Sequence, residues 1–150
     1  MASKPPMLRI VEEEEEHLQQ LLKKVKYQPS KDNFNALGNA YFDVQRYDEA
    51  IDAYQNAVRR APQDAEAQYR LGEAFADAER RGPAVDAFRR ALQLGGDKVP
   101  WAAEAHRRLG FIHKEGGARG PAVAEFKRYL ELRPDAPDKG EILQQIRFLE

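Results

Sequence analysis

FNALGNAYFDVQRYDEAIDAYQNAVRRAP, residues 34–62, is the stretch that decides the fold. Its apolar and small residues stand at offsets that recur twice further along the chain. The three sets are Phe34, Leu37, Gly38, Tyr41, Ala50, Tyr54, Ala57 and Pro62; Leu71, Gly72, Phe75, Ala84, Phe88 and Ala91; and Leu109, Gly110, Ala122, Phe126, Tyr129 and Pro134. Leu37-Gly38 and Leu71-Gly72 lie 34 residues apart. This period is typical of an array of helix–turn–helix units.

The pattern resembles the tetratricopeptide repeat over residues 31–135. The resemblance implies an all-α solenoid of three repeats, flanked by an N-terminal helix and a C-terminal capping helix, so we expect eight helices and no sheet. Arrays of this family usually bind other proteins and rarely catalyse. We therefore expect a non-enzymatic adaptor or scaffold with no cofactor and no metal.

The whole chain, residues 1–150, is predicted to be one domain. Its segments are the N-terminal helix 7–28, repeat one 31–64, repeat two 65–98, an insertion 99–102, repeat three 103–136 and the capping helix 138–150. Repeat one should place its helices over 32–44 and 48–60.

Turn and cap residues predict where several helices begin. Pro29-Ser30 should end one helix and cap the next, while Pro62 should end the second helix of repeat one and Asp64 should cap the helix that follows. Pro83 should begin the second helix of repeat two. Pro100 should start the first helix of repeat three one turn early. Asp138 and Glu141 form a capping-box-like pair before the last helix.

Composition excludes several classes of function. The chain has no Cys, which removes disulfides, thiolate catalysis and zinc fingers. The net charge of −1 gives no global attraction to nucleic acid or an anionic membrane. No apolar run approaches the roughly 18 residues of a membrane span, and the first residues lack the core of a signal peptide. We expect a cytoplasmic protein without membrane insertion, and the content of Ala, Arg and Gly favours a bacterial origin.

The resemblance also implies where a partner binds. The family's ligand-facing positions correspond here to Asp32, Asn35, Asn39, Phe42 and Asp43; Glu66, Tyr69, Glu73, Ala76 and Asp77; and Glu104, Arg107, Phe111, Lys114 and Glu115. Seven of these are acidic and two are basic, so a concave groove with five net negative charges is expected. Phe42, Tyr69 and Phe111 should add an exposed aromatic stripe. We predict that this groove docks a basic, partly apolar peptide or helix. The alternative is that the acids only solvate the surface and the aromatics fill gaps between repeats.

One subtype of the family, which binds the acidic C-termini of heat-shock chaperones, is not expected. Its clamp of Lys, Asn and Arg residues is matched only by Asn39 and Arg108. Asn35, Arg70 and Glu104 depart from it, and Glu104 places an acid where a lysine is needed.

Three further features leave alternatives open. Trp101, the only tryptophan, either covers the apolar seam between repeats two and three or is an exposed secondary anchor for a partner. His106 and His113 are interpreted as a satisfied, partly buried pair, because their spacing of seven residues is poor for one metal ion. The run 12–16 of five glutamates is interpreted as a solvated helix face, with an acidic docking feature as the alternative.

Two other roles remain open beside the scaffold. Three repeats between terminal helices also resemble the chaperones of type III secretion translocators, although those tend to be more acidic. The third role is self-assembly, in which the N-terminal helix or Trp101 packs against another copy, giving a monomer or weak homo-oligomer.

Overall fold

The computed structural model describes residues 3–150, and in that range the chain forms eight α-helices and no strand. The helices are α1 (Pro6–Tyr27), α2 (Lys31–Asp43), α3 (Tyr47–Arg60), α4 (Ala65–Asp77), α5 (Arg81–Gly95), α6 (Ala102–Glu115), α7 (Arg119–Leu132) and α8 (Lys139–Leu149). Each helix packs mainly on the helices that precede and follow it in the chain. This one-dimensional stacking confirms the predicted all-α solenoid.

Three glycines allow the two helices of each repeat to cross closely. α2 packs on α3, α4 on α5 and α6 on α7. A Cβ added at Gly38 would lie 2.6 Å from the ring of Tyr54, and one added at Gly72 would lie 2.8 Å from the ring of Phe88. The third repeat has the same arrangement at Gly110. Because these rings are fully buried, the repeated glycine is explained by the ring that fills the crossing.

Two of the predicted caps are present, and one is not. The Ser30 side chain accepts a hydrogen bond from the Asn33 N–H at 3.1 Å, and Asp64 accepts one from the Ala67 N–H at 3.2 Å. Asp138 does not cap α8 with its side chain, so the predicted capping box is wrong.

The Asp138 carboxylate is instead used between elements. It accepts hydrogen bonds from the Tyr129 hydroxyl at 2.6 Å and from the Arg107 Nε at 2.7 Å. These bonds tie the start of the capping helix to both helices of repeat three, which explains why the carboxylate turns away from its own helix.

The helix starts predicted at Pro83 and Pro100 are also wrong. α5 begins at Arg81, so Pro83 lies inside its first turn. α6 begins at Ala102, and Pro100 and Trp101 form a turn whose Val99 carbonyl accepts the Ala102 N–H at 3.1 Å. α5 runs on to Gly95, and Gly96 then adopts a φ of 70° that ends it. The residues after Gly96 connect α5 to α6 and do not extend α6.

The segment 96–101 makes the contact between α5 and α6 the smallest between any two successive helices. The buried residues form two clusters that divide within repeat three. One includes Tyr54, Phe88 and, from α6, Leu109, and the other includes Phe126 and Ile142. α6 therefore contributes to the core of repeats one and two as well as to that of repeat three.

The two histidines of α6 are less fully hydrogen-bonded than predicted. His106 Nδ1 lies 2.6 Å from Glu125 Oε2. The Nε2 atoms of His106 and His113 are buried without a hydrogen-bond partner among residues 3–150. His113 occupies the position that Tyr41 and Phe75 fill in the first two repeats. Burial lowers the pKa of His113, and the charge of Arg89 lowers it further.

Replacing His113 with Phe should remove part of the acid sensitivity of the fold. The folded pKa of His113 is lowered, so the unfolded chain takes up the proton first, near its ordinary pKa of about 6.5. Stability that is present above that pH is lost as pH falls towards the folded pKa. Thermal melts from neutral pH to about pH 5 should show a smaller decline for His113→Phe than for the parent chain. Parallel declines would contradict a titrating, buried His113.

Candidate protein-binding groove

Two clefts form between successive first helices, and together we call them the groove. The first, of about 290 Å³, is lined by Asn39, Phe42, Asp43, Tyr54, Arg70 and Glu73. The second, of about 270 Å³, is lined by Ala76, Asp77, Glu104, Arg107, Arg108, Phe111, Ile112 and Glu115. Seven of the ten residues predicted for partner binding line these clefts, the exceptions being Asn35, Tyr69 and Lys114. The stacking of α2, α4 and α6 brings them together.

Tyr69 is buried, so its prediction as an exposed aromatic is wrong. It retains 5% of its exposure and packs on Phe88, with ring centroids 5.7 Å apart. Trp101 stacks over it almost in parallel, with a centroid distance of 4.7 Å. The inserted segment carries this indole across the start of repeat three and covers Tyr69. This stacking supports the structural interpretation of Trp101.

Trp101 also lines a separate cleft. It is half-buried and shares a space of about 640 Å³ with Pro62, Val99 and the capped start of α4. This cleft lies at the inserted segment and away from the groove residues. The indole is partly exposed, so the role of Trp101 as a secondary anchor for a partner stays a prediction.

The aromatic part of the groove is reduced to Phe42 and Phe111. Phe42 meets Tyr47 edge to face at 5.4 Å, and Phe111 meets Phe126 in the same way at 5.0 Å. The guanidinium of Arg107 lies 5.1 Å from the centre of the Phe111 ring. Both phenylalanines are half-buried, so each is held in place by packing and still lines a cleft.

Arginines offset much of the negative charge that the sequence predicts. The clefts hold five carboxylates and three guanidinium groups. Arg108 Nη1 lies 3.1 Å from Asp77 Oδ1, and Arg108 Nη2 lies 3.9 Å from Glu73 Oε2. Arg70 Nη1 lies 3.3 Å from Glu73 Oε1. The groove is acidic, but less so than the five charges expected.

Glu73 stands where the two clefts meet. Its side chain is 14% exposed, and it faces Arg70 from its own helix and Arg108 from α6. Burial raises the pKa of Glu73, while Arg108 and Arg70 act against that rise. This carboxylate is thus poorly hydrated, and a further cation would stabilise its charged form.

The first cleft also offers hydrogen-bond donors. The Tyr54 hydroxyl donates to Asn39 Oδ1 at 2.5 Å. With its oxygen engaged, the Asn39 side chain presents its amide N–H groups to the cleft. Asn35, one turn earlier on α2, has a buried Oδ1 with no hydrogen-bond partner in the described part of the chain. Lys114 is half-buried and lies outside both clefts.

The role of Arg108 could have been predicted from the repeat period. Residues slightly less than one period apart face each other across neighbouring repeats, as Asp77 and Arg108 do at a separation of 31. Arg107 and Asp138 have the same separation. A list of ligand-facing positions taken one repeat at a time includes Asp77 and Arg107 but not Arg108 and Asp138, which pair with them.

Comparisons with known proteins agree with this fold. Residues 35–99 match the family model described as tetratricopeptide repeat. The crystal structure of MamA is similar with a TM-score of 0.81 and 22% identity, over 99% of this chain and 84% of that one. The TPR domain of Arabidopsis OM64 gives a TM-score of 0.71 and 19% identity, over 79% and 94%. The first TPR of Spaghetti (RPAP3), bound to the HSP90 peptide SRMEEVD, gives 0.69 and 23%, over 79% and 89%.

The helices stack in the solenoid fold of tetratricopeptide-repeat proteins, and residues 35–99 match the repeat itself. Such repeats are typically non-enzymatic interaction modules. Comparison with curated protein sequences gives no match. Within residues 3–150, no helix is long and apolar enough to cross a membrane.

Proposed function

We propose that this chain is a non-enzymatic scaffold that docks a basic, partly apolar segment of another protein in the groove. The observation that carries the proposal is the first cleft, where the carboxylates of Asp43 and Glu73 lie beside the ring of Phe42. A long basic side chain has an apolar stem and a charged end. The cleft offers an aromatic surface to the first and carboxylates to the second.

The size and burial of the cleft support this assignment. About 290 Å³ is at the lower end of the volumes that bind small ligands, so the cleft suits one or two side chains rather than a whole domain. Asp43 is exposed at its edge and can steer a cation in. Glu73 is buried enough to gain from the cation once bound.

An acidic segment is a poorer occupant. Arg108, one of the two residues that match the chaperone-binding clamp, is already paired with Asp77 and lies near Glu73. Arg107 is paired with Asp138. An acidic partner would have to compete with these carboxylates for the guanidinium groups. A basic side chain would meet the exposed carboxylate of Asp43, which favours the basic segment.

Charge reversal at Asp43 tests the steering role. Asp43→Lys should slow association with a partner recovered by pull-down and reduce the salt dependence of its on-rate. Asp52→Lys is the matched control. Asp52 is exposed on α3 and lies outside the clefts, and its replacement by Lys changes the net charge by the same amount. Stopped-flow or surface-plasmon measurements at two salt concentrations give both quantities. Equal effects of the two substitutions would contradict binding in the groove.

Truncation of Phe111 tests the apolar contact. Phe111→Ala should weaken the same complex by about 1–2 kcal/mol, the usual cost of removing an aromatic anchor. Because Phe111 also packs on Phe126, circular dichroism and a melt must show that the variant is folded at the binding temperature. A folded variant with unchanged affinity would exclude the second cleft from the binding site.

Short peptides of known sequence can test binding in the groove without knowledge of the partner. NMR titration with acetyl-Leu-Arg-Leu-amide should shift the amides of Asn39, Asp43 and Glu73. The matched peptide acetyl-Leu-Glu-Leu-amide should shift them less. A preference for the acidic peptide would overturn the proposed charge of the partner.

The secretion-chaperone alternative involves the same fold, and a partner that loses solubility without this chain would favour it.

A further inference from the structure

The first half of α1 extends beyond the solenoid. α1 has 22 residues and its neighbour α2 has 13. Residues 7–17 of α1 are all exposed, and burial begins at Leu18 and Leu21. We call residues 6–17 the overhang; at 1.5 Å per residue it is about 18 Å long. A helix segment with so few tertiary contacts needs another source of stability.

The overhang carries apolar side chains on the same helix face that the rest of α1 packs against α2. Met7, Leu8, Ile10 and Val11 keep 78%, 55%, 54% and 58% of their exposure. Met7 and Val11 are one turn apart, and Val11 is two turns before the buried Leu18, so all three share one face. The packed face of α1 therefore continues past the end of α2 without a cover. Four large apolar side chains gathered within two turns mark an interaction surface rather than scattered exposure.

The charges of the overhang distinguish between the ways in which two copies could pair. The acidic run 12–16 follows the apolar residues directly, and Lys4 precedes them. Lys4 Nζ already bonds Glu12 at 2.7 Å. Parallel overhangs would place two acidic runs side by side, which is repulsive. Antiparallel overhangs place the positive N-terminal end of each helix beside the acidic run of the other, which is attractive.

We propose that a second copy of this chain covers the overhang, as an antiparallel pair of α1 helices related by a two-fold axis near Arg9. In this register Met7 lies opposite the partner's Val11, and Val11 lies opposite the partner's Met7. Leu8 and Ile10 flank this seam on either side. Lys4 comes within reach of the partner's acidic run. The apolar patch and the charge pattern are thus satisfied by the same arrangement.

The dimer should be weak, and the assembly should not grow beyond two copies. Four apolar side chains from each copy make a smaller contact than the roughly 1,200–2,000 Å² buried in stable interfaces, so the dimer should depend on concentration. A two-fold contact uses the same surface on both copies and leaves none for a third. The two clefts of the groove are lined by α2, α3, α4 and α6, while Glu14 and His17 of the overhang share a neighbouring space with Asn39 and Asp43.

Sedimentation velocity over a concentration series tests the pairing. The parent chain should pass from monomer to dimer, and Met7→Glu with Val11→Glu should raise the dissociation constant at least about tenfold. Phe148→Glu is the matched control, because Phe148 is 71% exposed on α8 at the other end of the solenoid, and it should leave the dissociation constant unchanged. A parent chain that stays monomeric up to about 1 mM overturns the proposal. Binding to phosphatidylcholine vesicles by such a monomer would assign the face to lipid instead.

The absence of Cys from the sequence permits a second test of the register. Single-cysteine chains Met7→Cys and Val11→Cys should form a disulfide faster when mixed than either chain does alone, because residues 7 and 11 are opposite only in the antiparallel pair. A parallel pair would join each variant to itself, and that result would overturn the proposed arrangement.

Discussion

Gly72→Leu is expected to lower the free energy of unfolding by about 3 kcal/mol, the upper part of the usual range for overpacking. A Cβ at this position would lie 2.8 Å from the Phe88 ring. That ring is fully buried, so it cannot turn aside into solvent. Either α4 and α5 move apart or Phe88 leaves its rotamer, and both cost packing. Gly38→Leu should behave in the same way against Tyr54. Urea denaturation gives the quantity directly.

Gly82→Ala is the matched control for these substitutions. Gly82 lies in the first turn of α5, and a Cβ there meets nothing within 4 Å. Alanine should therefore be neutral or stabilise the chain by about 0.5–1 kcal/mol through its helix propensity. If Gly72→Leu unfolded at the same urea concentration as the parent, the close crossing of α4 and α5 would be wrong.

Removal of residues 139–150 should have the second large effect. α8 buries Ile142, Ile146 and Leu149 against repeat three. Each such side chain contributes about 1.5–3 kcal/mol when fully buried. Their loss would expose the apolar side of α7, so the truncated chain should aggregate or melt at a lower temperature and less cooperatively. Light scattering during a thermal melt reports both changes.

Neighbouring positions on α8 provide a point-substitution test of the same cap. Ile142→Ala should cost about 2–5 kcal/mol, since Ile142 is fully buried. Leu143→Ala should cost much less because Leu143 is partly exposed on the same helix. A monomeric truncated chain with an unchanged melt, together with equal costs for the two alanine variants, would contradict the capping role of α8.

The repeated architecture was predictable because its cause is local and recurs. The glycine at each crossing and the aromatic ring sixteen residues later are visible as a pair in all three repeats, as in Gly38 with Tyr54 and Gly110 with Phe126. Ser30 and Asp64 were recognisable as caps because a cap acts on its own helix. Asp138 was misread because its carboxylate serves Tyr129 and Arg107, which are distant in sequence.

The family pattern led to residues that line the two clefts, among them Asn39, Phe42, Asp43 and Phe111. Their part in binding a partner stays a prediction. Tyr69 lines neither cleft, because the inserted segment brings Trp101 onto its ring. The excess of negative charge was overestimated because Arg108 reaches across to repeat two. Both errors arise between repeats, where the spacing of this chain departs from a regular array.

The small contact between α5 and α6 has a thermodynamic consequence for binding. In a linear array, neighbouring units are coupled only through their shared interface. The second cleft is built across this joint, from residues of α4 and α6, so a change in the angle between repeats two and three would change the width of that cleft. A partner that fills the second cleft would fix this angle. Affinity would then depend on the freedom that the joint loses on binding as well as on the contacts made.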